Sequence, residues 1–340
     1  MAAPTSPQWI EVSDPLQLVK EPVVTVSMLT YNHEPYIAQA IECVVNQRTE
    51  YPFELIIAED CSNDSTRAIA LAWQRRHPQI IRVLYSDTNV GGRQNIRRVY
   101  QSRRGKYYAI CEGDDYWHNP DKLQRQVSQL EQHPECVLVH GAFRRQVGNT
   151  IVPYKVSNPV MGRAFDVLLM KNTIATCTVC IRTSLSEQYG RSKFFDRNYL
   201  MADYPHWLFA SQHGSIGYIS DPVATYRKTP GSVINSRLDA PLRMELSAQQ
   251  VRKDFIEEYG ASEETCRKVL NESNRQILIQ AFIAGNRGIF NEEFRWRLEN
   301  HFRRKENFKI LFYWLLLQLR LNRIYCRTRS DQVTNVCVLP

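Results

Sequence analysis

Between Val23 and Gln132 the sequence switches four times from a short apolar run to a segment whose apolar residues recur at helical spacing. VVTVSML, FELIIAE, IIRVLYS and KYYAICE read as strands. Pro35 to Asn46, Ser65 to Arg76, Gln94 to Ser102 and Lys122 to Gln132 read as helices. Strands alternating with helices of this length pair in parallel through right-handed crossovers. Asp64 or Ser65 suits the N-cap of the second helix, and Pro120-Asp121 suits the start of the fourth. The stretch is therefore expected to be a mostly parallel open α/β sheet with helices on both faces. Its ligand is expected outside the carboxyl ends of the strands.

Residues 1–21 are Pro-rich and aperiodic and are expected to form an N-terminal tail. After Gln132, the segments CVLVHGAFRR, ATCTVCIRTS and GSIGYISDPVATYR are short and extended, which suits an added small mixed sheet. From Pro241 the chain becomes helical and charged, with Val251, Phe255, Ile256 and Tyr259 at helical spacing. The expected division is an α/β domain at 22–238 and a helical C-terminal region at 239–340.

Composition narrows the class without naming a chemistry. With 340 residues, 43% apolar and 23% charged, the chain has enough material for a buried core and does not resemble a disordered, collagenous or polytopic membrane protein. The net charge of +8 is concentrated near the C-terminus, where 301–330 holds eight cationic residues against Glu306 alone. Nine scattered cysteines and no apolar N-terminal leader suit a reducing, cytoplasmic setting. Cys177-Thr-Val-Cys180 has zinc-like spacing, but no second pair follows it, and buried structural thiols are the better expectation. The longest apolar stretch, Ile310 to Leu317, is far short of the ~20 residues a membrane span requires. Within 302–329 that block is bracketed by Arg and Lys. It suits a helix lying on an anionic membrane surface at the cytoplasmic face, and equally one that packs on protein. It is too apolar for a phosphate-tracking stripe, so no nucleic acid partner is expected.

The four parallel strands each end in polar residues. The first ends in Thr30-Tyr31-Asn32-His33-Glu34, the second in Glu59-Asp60-Cys61-Ser62-Asn63-Asp64, the third in Asp87 through Arg93, and the fourth in Glu112-Gly113-Asp114-Asp115-Tyr116-Trp117. Acidic groups crowded on one rim repel unless a cation compensates. Adjacent carboxylates suit Mg²⁺ or Mn²⁺ completed by diphosphate oxygens and water, with Asp115 as direct ligand and Asp114 facing a sugar or ribose hydroxyl. The same residues also fit a turn with solvated carboxylates. Glu59 and Asp60 suit acceptance from a nucleobase or ribose, or an Asx turn that caps the next helix. Arg93 suits a phosphate or a base, and Arg227 with Lys228 suits a diphosphate clamp. His206 and Trp207 suit either a sugar contact or an anchor for their helix.

Taken in order, VSMLTYNHEPYIAQAIECVVNQ, FELIIAEDCSNDST, NVGGRQN and GKYYAICEGDDYWHNPDKLQRQV resemble the family 2 glycosyltransferases. These are inverting enzymes with a nucleotide-sugar-binding GT-A fold, and the likeness covers about 22 to 235. EGDDYW is similar to the family's metal-binding motif. The resemblance implies that Thr30, Tyr31 and Glu34 line a nucleoside pocket, that Asp60 meets the base and that Arg93 contacts the nucleotide. MADYPHWLFASQHGSIGYISDPVATYRKTPGSV resembles the segment that carries the general base, which places Asp203 in that role, followed by Tyr226-Arg227 closing the site. Many members have Glu-Asp where this chain has Ala202-Asp203. The implied partners are a nucleoside-diphosphate sugar and a glycan or lipid-linked acceptor, as in bacterial surface polysaccharide assembly, and the implied cofactor is a divalent metal, Mn²⁺ or Mg²⁺. A non-catalytic nucleotide-sugar-binding protein and a nucleotidyltransferase are the alternatives. No Gly-rich G-x-G-T-R loop follows the first strand to favour the latter.

Overall fold

The computed structural model describes residues 9–154, 158–229, 238–301 and 307–319. They divide into two compact units, the first built from the described residues within 9–164, 173–196 and 209–229 and the second from those within 165–172, 197–208 and 238–319.

The first unit is organised by one nine-stranded sheet. Its parallel part consists of β2 (Val24–Thr30), β3 (Phe53–Glu59), β4 (Ile81–Tyr85) and β5 (Tyr107–Ile110), which stand in the order β4-β3-β2-β5. The helices between them are α1 (Ile37–Val45), α2 (Thr66–Arg76) and α3 (Gly92–Ser102), and α4 (Lys122–Gln132) follows β5. These elements fall where the apolar runs and helical spacing predict. In α1 the buried residues Ile37, Ala40, Ile41 and Val44 form one stripe against the sheet. The order of strands reverses beside β2, since β3 lies on one side of it and β5 on the other. At such a point the loops after the two flanking strands part and leave a crevice.

The N-terminal lead-in contributes β1 (Ile10–Val12), antiparallel to β4. Three residues have little pairing strength of their own, and Glu11 supplies the hold by accepting both Nε and Nη2 of Arg82 at 2.8 and 3.0 Å. Arg82 also meets Glu54, which is fully buried and receives Arg104 and the hydroxyl of Thr25. A buried carboxylate is tolerated only when paired in this way.

Beyond α4 the same sheet continues with antiparallel pairing. β6 (Cys136–Val147) is flanked by β7 (Thr150–Tyr154) and β8 (Cys180–Arg182) on one edge and by the long parallel β9 (Ser215–Lys228) on the other. The run ATCTVCI is only partly strand. Thr176–Thr178 is a 3-10 turn closed by Thr178 Oγ1 on Ala175 O, and its carbonyls accept Trp117 Nε1 and Gln126 Nε2. Those buried side chains compete with the ladder for the backbone. α6 (Thr183–Gly190) follows β8.

The second unit contains α5 (Phe165–Met170), the start of α7 (Asp203–His213), and the helices α8 (Ala240–Tyr259), α9 (Glu263–Ala284), α10 (Arg287–His301) and α11 (Asn307–Gln318). Its core gathers Leu242, Ile277, Leu278, Phe282, Phe290, Ile310, Tyr313 and Leu317. α9 starts at Ser262, whose hydroxyl accepts Thr265 N, and ends at Gly285 in the left-handed region. Trp207 is fully buried and His206 stacks on it, so both anchor α7, and the alternative of an indole face open to a sugar does not hold.

Candidate active site

The loops after β2 and β3 are laced together before any ligand is considered. Asn32 N donates to Ser62 Oγ, His33 N to Thr66 Oγ1, and Glu34 N to Asp64 Oδ2. In return Asn63 N donates to Asn32 Oδ1 and Ser65 N to Glu34 Oε2. This lacing holds Asn32 and Cys61 at positive φ, 55° and 59°, a conformation that costs a non-glycine residue free energy and survives where surrounding bonds enforce it. The Asp64 carboxylate caps α2 through Thr66 N. Tyr31 stands 42% exposed at the rim.

Glu59 and Asp60, at the end of β3, are buried. Glu59 accepts Ser62 N at 2.5 Å and Arg67 Nε at 2.6 Å. The two oxygens of Asp60 accept Val90 N and Gly91 N, each at 2.9 Å, and so fix the turn into α3, where Gly91 has φ 80°. Arg93, in the first turn of α3, donates Nη1 to Phe195 O at 2.9 Å.

The end of β5 is different in kind. Gly113 sits against β2, and a Cβ there would come within 2.7 Å of Thr30 Oγ1 and 2.8 Å of His33 Nδ1. Both of those atoms are buried with no hydrogen-bond partner among the described residues. His33 Nε2 lies 4.0 Å from Asp114 Oδ2, yet burial keeps the imidazole pKa below its ordinary value against the pull of Asp114 and Asp64. Asp115 is 3% exposed, and its Oδ1 accepts Arg227 N at 2.8 Å. Burial, with Asp114 and Glu112 beside it, pushes the Asp115 carboxyl well above the usual carboxylate range. Burial likewise raises the pKa of the Cys177 thiol, with Asp115 and Glu112 adding to the rise.

Arg227 reaches this loop from β9. Its Nη1 donates to Asp114 O at 3.0 Å and its Nη2 to Gln39 Oε1. The guanidinium lies 4.4 Å from the Tyr116 ring and 5.4 Å from that of Tyr36. A bridge between Tyr116 and Thr225 brings the two segments together. Thr30, His33, Asp114, Asp115 and Arg227 thus converge at the reversal beside β2, whereas Glu59, Asp60 and Glu34 are committed to loop and turn geometry. His33, Gly113, Gln39 and Tyr36 are participants that residue patterns did not single out. Only Gly113, a glycine directly before paired aspartates, carried a local signal. In the second unit, Asp203 is the first residue of α7, half-buried, with Oδ1 on Tyr204 N at 2.7 Å.

The donor set fits a divalent cation. Among the described residues no three His, Cys, Asp or Glu side chains gather to hold an ion on protein ligands alone. A Mg²⁺ or Mn²⁺ nucleotide site needs only one or two carboxylates, the rest being phosphate oxygens and water. Burial raises the Asp115 carboxyl first and the charges of Asp114 and Glu112 add to it, and such an ion would offset those charges.

Residues 25–190 match glycosyl transferase family 2. An uncharacterised protein of Mycobacterium tuberculosis is 33% identical over 213 residues, 60% of this chain but only 58% of that protein's length. The putative glycosyltransferase EpsE of Bacillus subtilis is 32% identical over 58% of this chain and 69% of its own. The putative teichuronic acid biosynthesis glycosyltransferase TuaG of the same organism is 26% identical over 65% of this chain and 84% of its own. Two solved structures share the fold. The mannosyltransferase PcManGT of Pyrobaculum calidifontis, in complex with GDP-Man and Mn²⁺, has a TM-score of 0.56 at 16% identity over 95% of this chain and 87% of that one. S. aureus TarS 1-349, in complex with UDP-GlcNAc, has a TM-score of 0.52 at 15% identity over 80% and 89%.

Proposed function

The chain belongs to glycosyl transferase family 2, and from that premise we propose that it moves a sugar, with inversion, from a nucleoside-diphosphate sugar to a hydroxyl of a glycan or lipid-linked acceptor. The setting we propose is assembly of a bacterial surface polysaccharide, in keeping with the similarity to TuaG, a putative teichuronic acid biosynthesis glycosyltransferase. The observation that carries the reading is the buried, charge-loaded Asp115 with Asp114 beside it, held by Arg227 at the point where strand order reverses.

In the proposed reaction the acceptor oxygen attacks the anomeric carbon, the bond from that carbon to the diphosphate oxygen breaks, and Asp203 takes the hydroxyl proton. One displacement inverts the configuration, and no enzyme nucleophile is required. Bound Mn²⁺ or Mg²⁺ would supply Lewis-acid stabilisation of the departing diphosphate, with Asp115 as its protein ligand. Thr30 and Tyr31 are assigned to the nucleoside side and Arg93 to the nucleotide. Arg227 acts by positioning Asp114 and Asp115.

The test is a screen of UDP-, GDP- and dTDP-sugars with Mn²⁺ for a rise in melting temperature, because a ligand that binds only the folded state stabilises it. One donor class is expected to raise Tm. Asp203→Asn is expected to keep that rise while transfer to acceptor is lost. No rise with any donor would remove the proposal, and full transfer by Asp203→Asn would remove the assignment of the base.

A further inference from the structure

α11 has two unlike faces. Ile310, Tyr313 and Leu317 are buried in the core of the second unit, with Tyr313 stacked on Phe282 at 4.5 Å and Trp314 on Phe294 at 5.9 Å. The carboxyl end of the helix is fixed as well, since Arg287 donates to Leu317 O at 3.1 Å and Gln318 O at 2.7 Å. The helix therefore cannot roll to hide its other side. On that side Leu311, Leu315 and Leu319 recur every four residues and are 47%, 48% and 58% exposed, with Phe312 47% exposed beside them. A surface helix ordinarily places polar residues outward, yet Ile310 to Leu319 contains no charge.

We propose that this outer face of α11 docks on an anionic lipid surface. In sequence the apolar stripe is bracketed by Arg303, Arg304, Lys305 and Lys309 before it and by Arg320, Arg323, Arg327 and Arg329 after it, with Glu306 the lone acid. That excess matches anionic headgroups, which attract clustered cations near the surface. The same excess disfavours a second copy as the occupant, because two such helices face to face would oppose like charges. The helix lies in the interface and does not cross it. Twelve residues span about 18 Å, and among the described residues no helix is long and apolar enough for a membrane span. The inference goes beyond the proposed transfer reaction and depends on neither Asp115 nor Asp203.

The experiment is co-flotation of the full chain with phosphatidylcholine vesicles made with and without phosphatidylglycerol. Flotation is expected with the anionic vesicles and not with the neutral ones. Leu311→Gln combined with Leu315→Gln and Leu319→Gln should weaken it by at least roughly tenfold, since the burial of several leucines is lost. The circular dichroism spectrum and melting temperature of that variant establish that it is folded. Lys309→Gln with Arg320→Gln should weaken flotation without altering the leucines, which keeps the inference testable if the triple variant does not fold. Absence of flotation, equal flotation on neutral vesicles, or undiminished flotation of the folded triple variant would each overturn the inference. So would a dimer, seen by sedimentation, that the leucine substitutions dissolve.

Discussion

β3 and β5 both end in acidic residues, and the two ends teach different things. After β3, protein donors meet the carboxylates of Glu59 and Asp60: Ser62 N, Arg67, Val90 N and Gly91 N. After β5, Asp115 receives Arg227 N, and its carboxyl is still driven upward by burial and by Asp114 and Glu112. The first end has balanced its charge within the fold. The second holds Asp115 buried beside Asp114 and Glu112, a crowding that a bound cation would relieve. Acidity at a strand end is therefore a weak guide, and the balance of donors around each carboxylate discriminates.

The sharpest way to break this contrast is Asp115→Asn, which should lower metal-dependent transfer roughly a thousandfold. Without metal its melting temperature should equal or exceed that of the parent, because a buried like-charge clash is removed. A large loss of stability would show that Asp115 is structural. Glu59→Gln should do the reverse. Arg67 would lose its buried partner, and chemical denaturation should register a loss of about 3 kcal/mol. Asp60→Asn is expected to cost about 2 kcal/mol by the same measurement, since an amide NH₂ would confront a backbone N–H. Donor-induced stabilisation should persist in both variants once allowance is made for their lower starting point. The smallest effect is predicted for Gly113→Ala, whose Cβ would press on Thr30 and His33. The displaced aspartates should slow transfer about tenfold in kcat at unchanged metal concentration.

Much of this architecture was legible from local pattern. The four parallel strands and their helices follow from apolar runs and helical spacing, and α4 lies at Lys122–Gln132 as expected. β1 was not legible, because its hold is the distant Glu11–Arg82 pair. Nor was the 3-10 turn at Cys177, which depends on Trp117 and Gln126. Paired aspartates after an apolar strand marked Asp114 and Asp115 as candidates. Their connection to Arg227 spans 112 residues of sequence and arises only when β9 is laid beside β6. The apolar character of 310–317 was likewise plain, but which side of that helix faces protein depends on Phe282 and Phe294 in other helices.

Asp115 is gripped by the main-chain amide of residue 227 rather than by its guanidinium. Every amino acid but proline brings that amide. Variation at this position can therefore retune the neighbourhood of Tyr36, Gln39 and Tyr116 while leaving the anchor on Asp115 intact, so specificity and anchorage are free to drift independently.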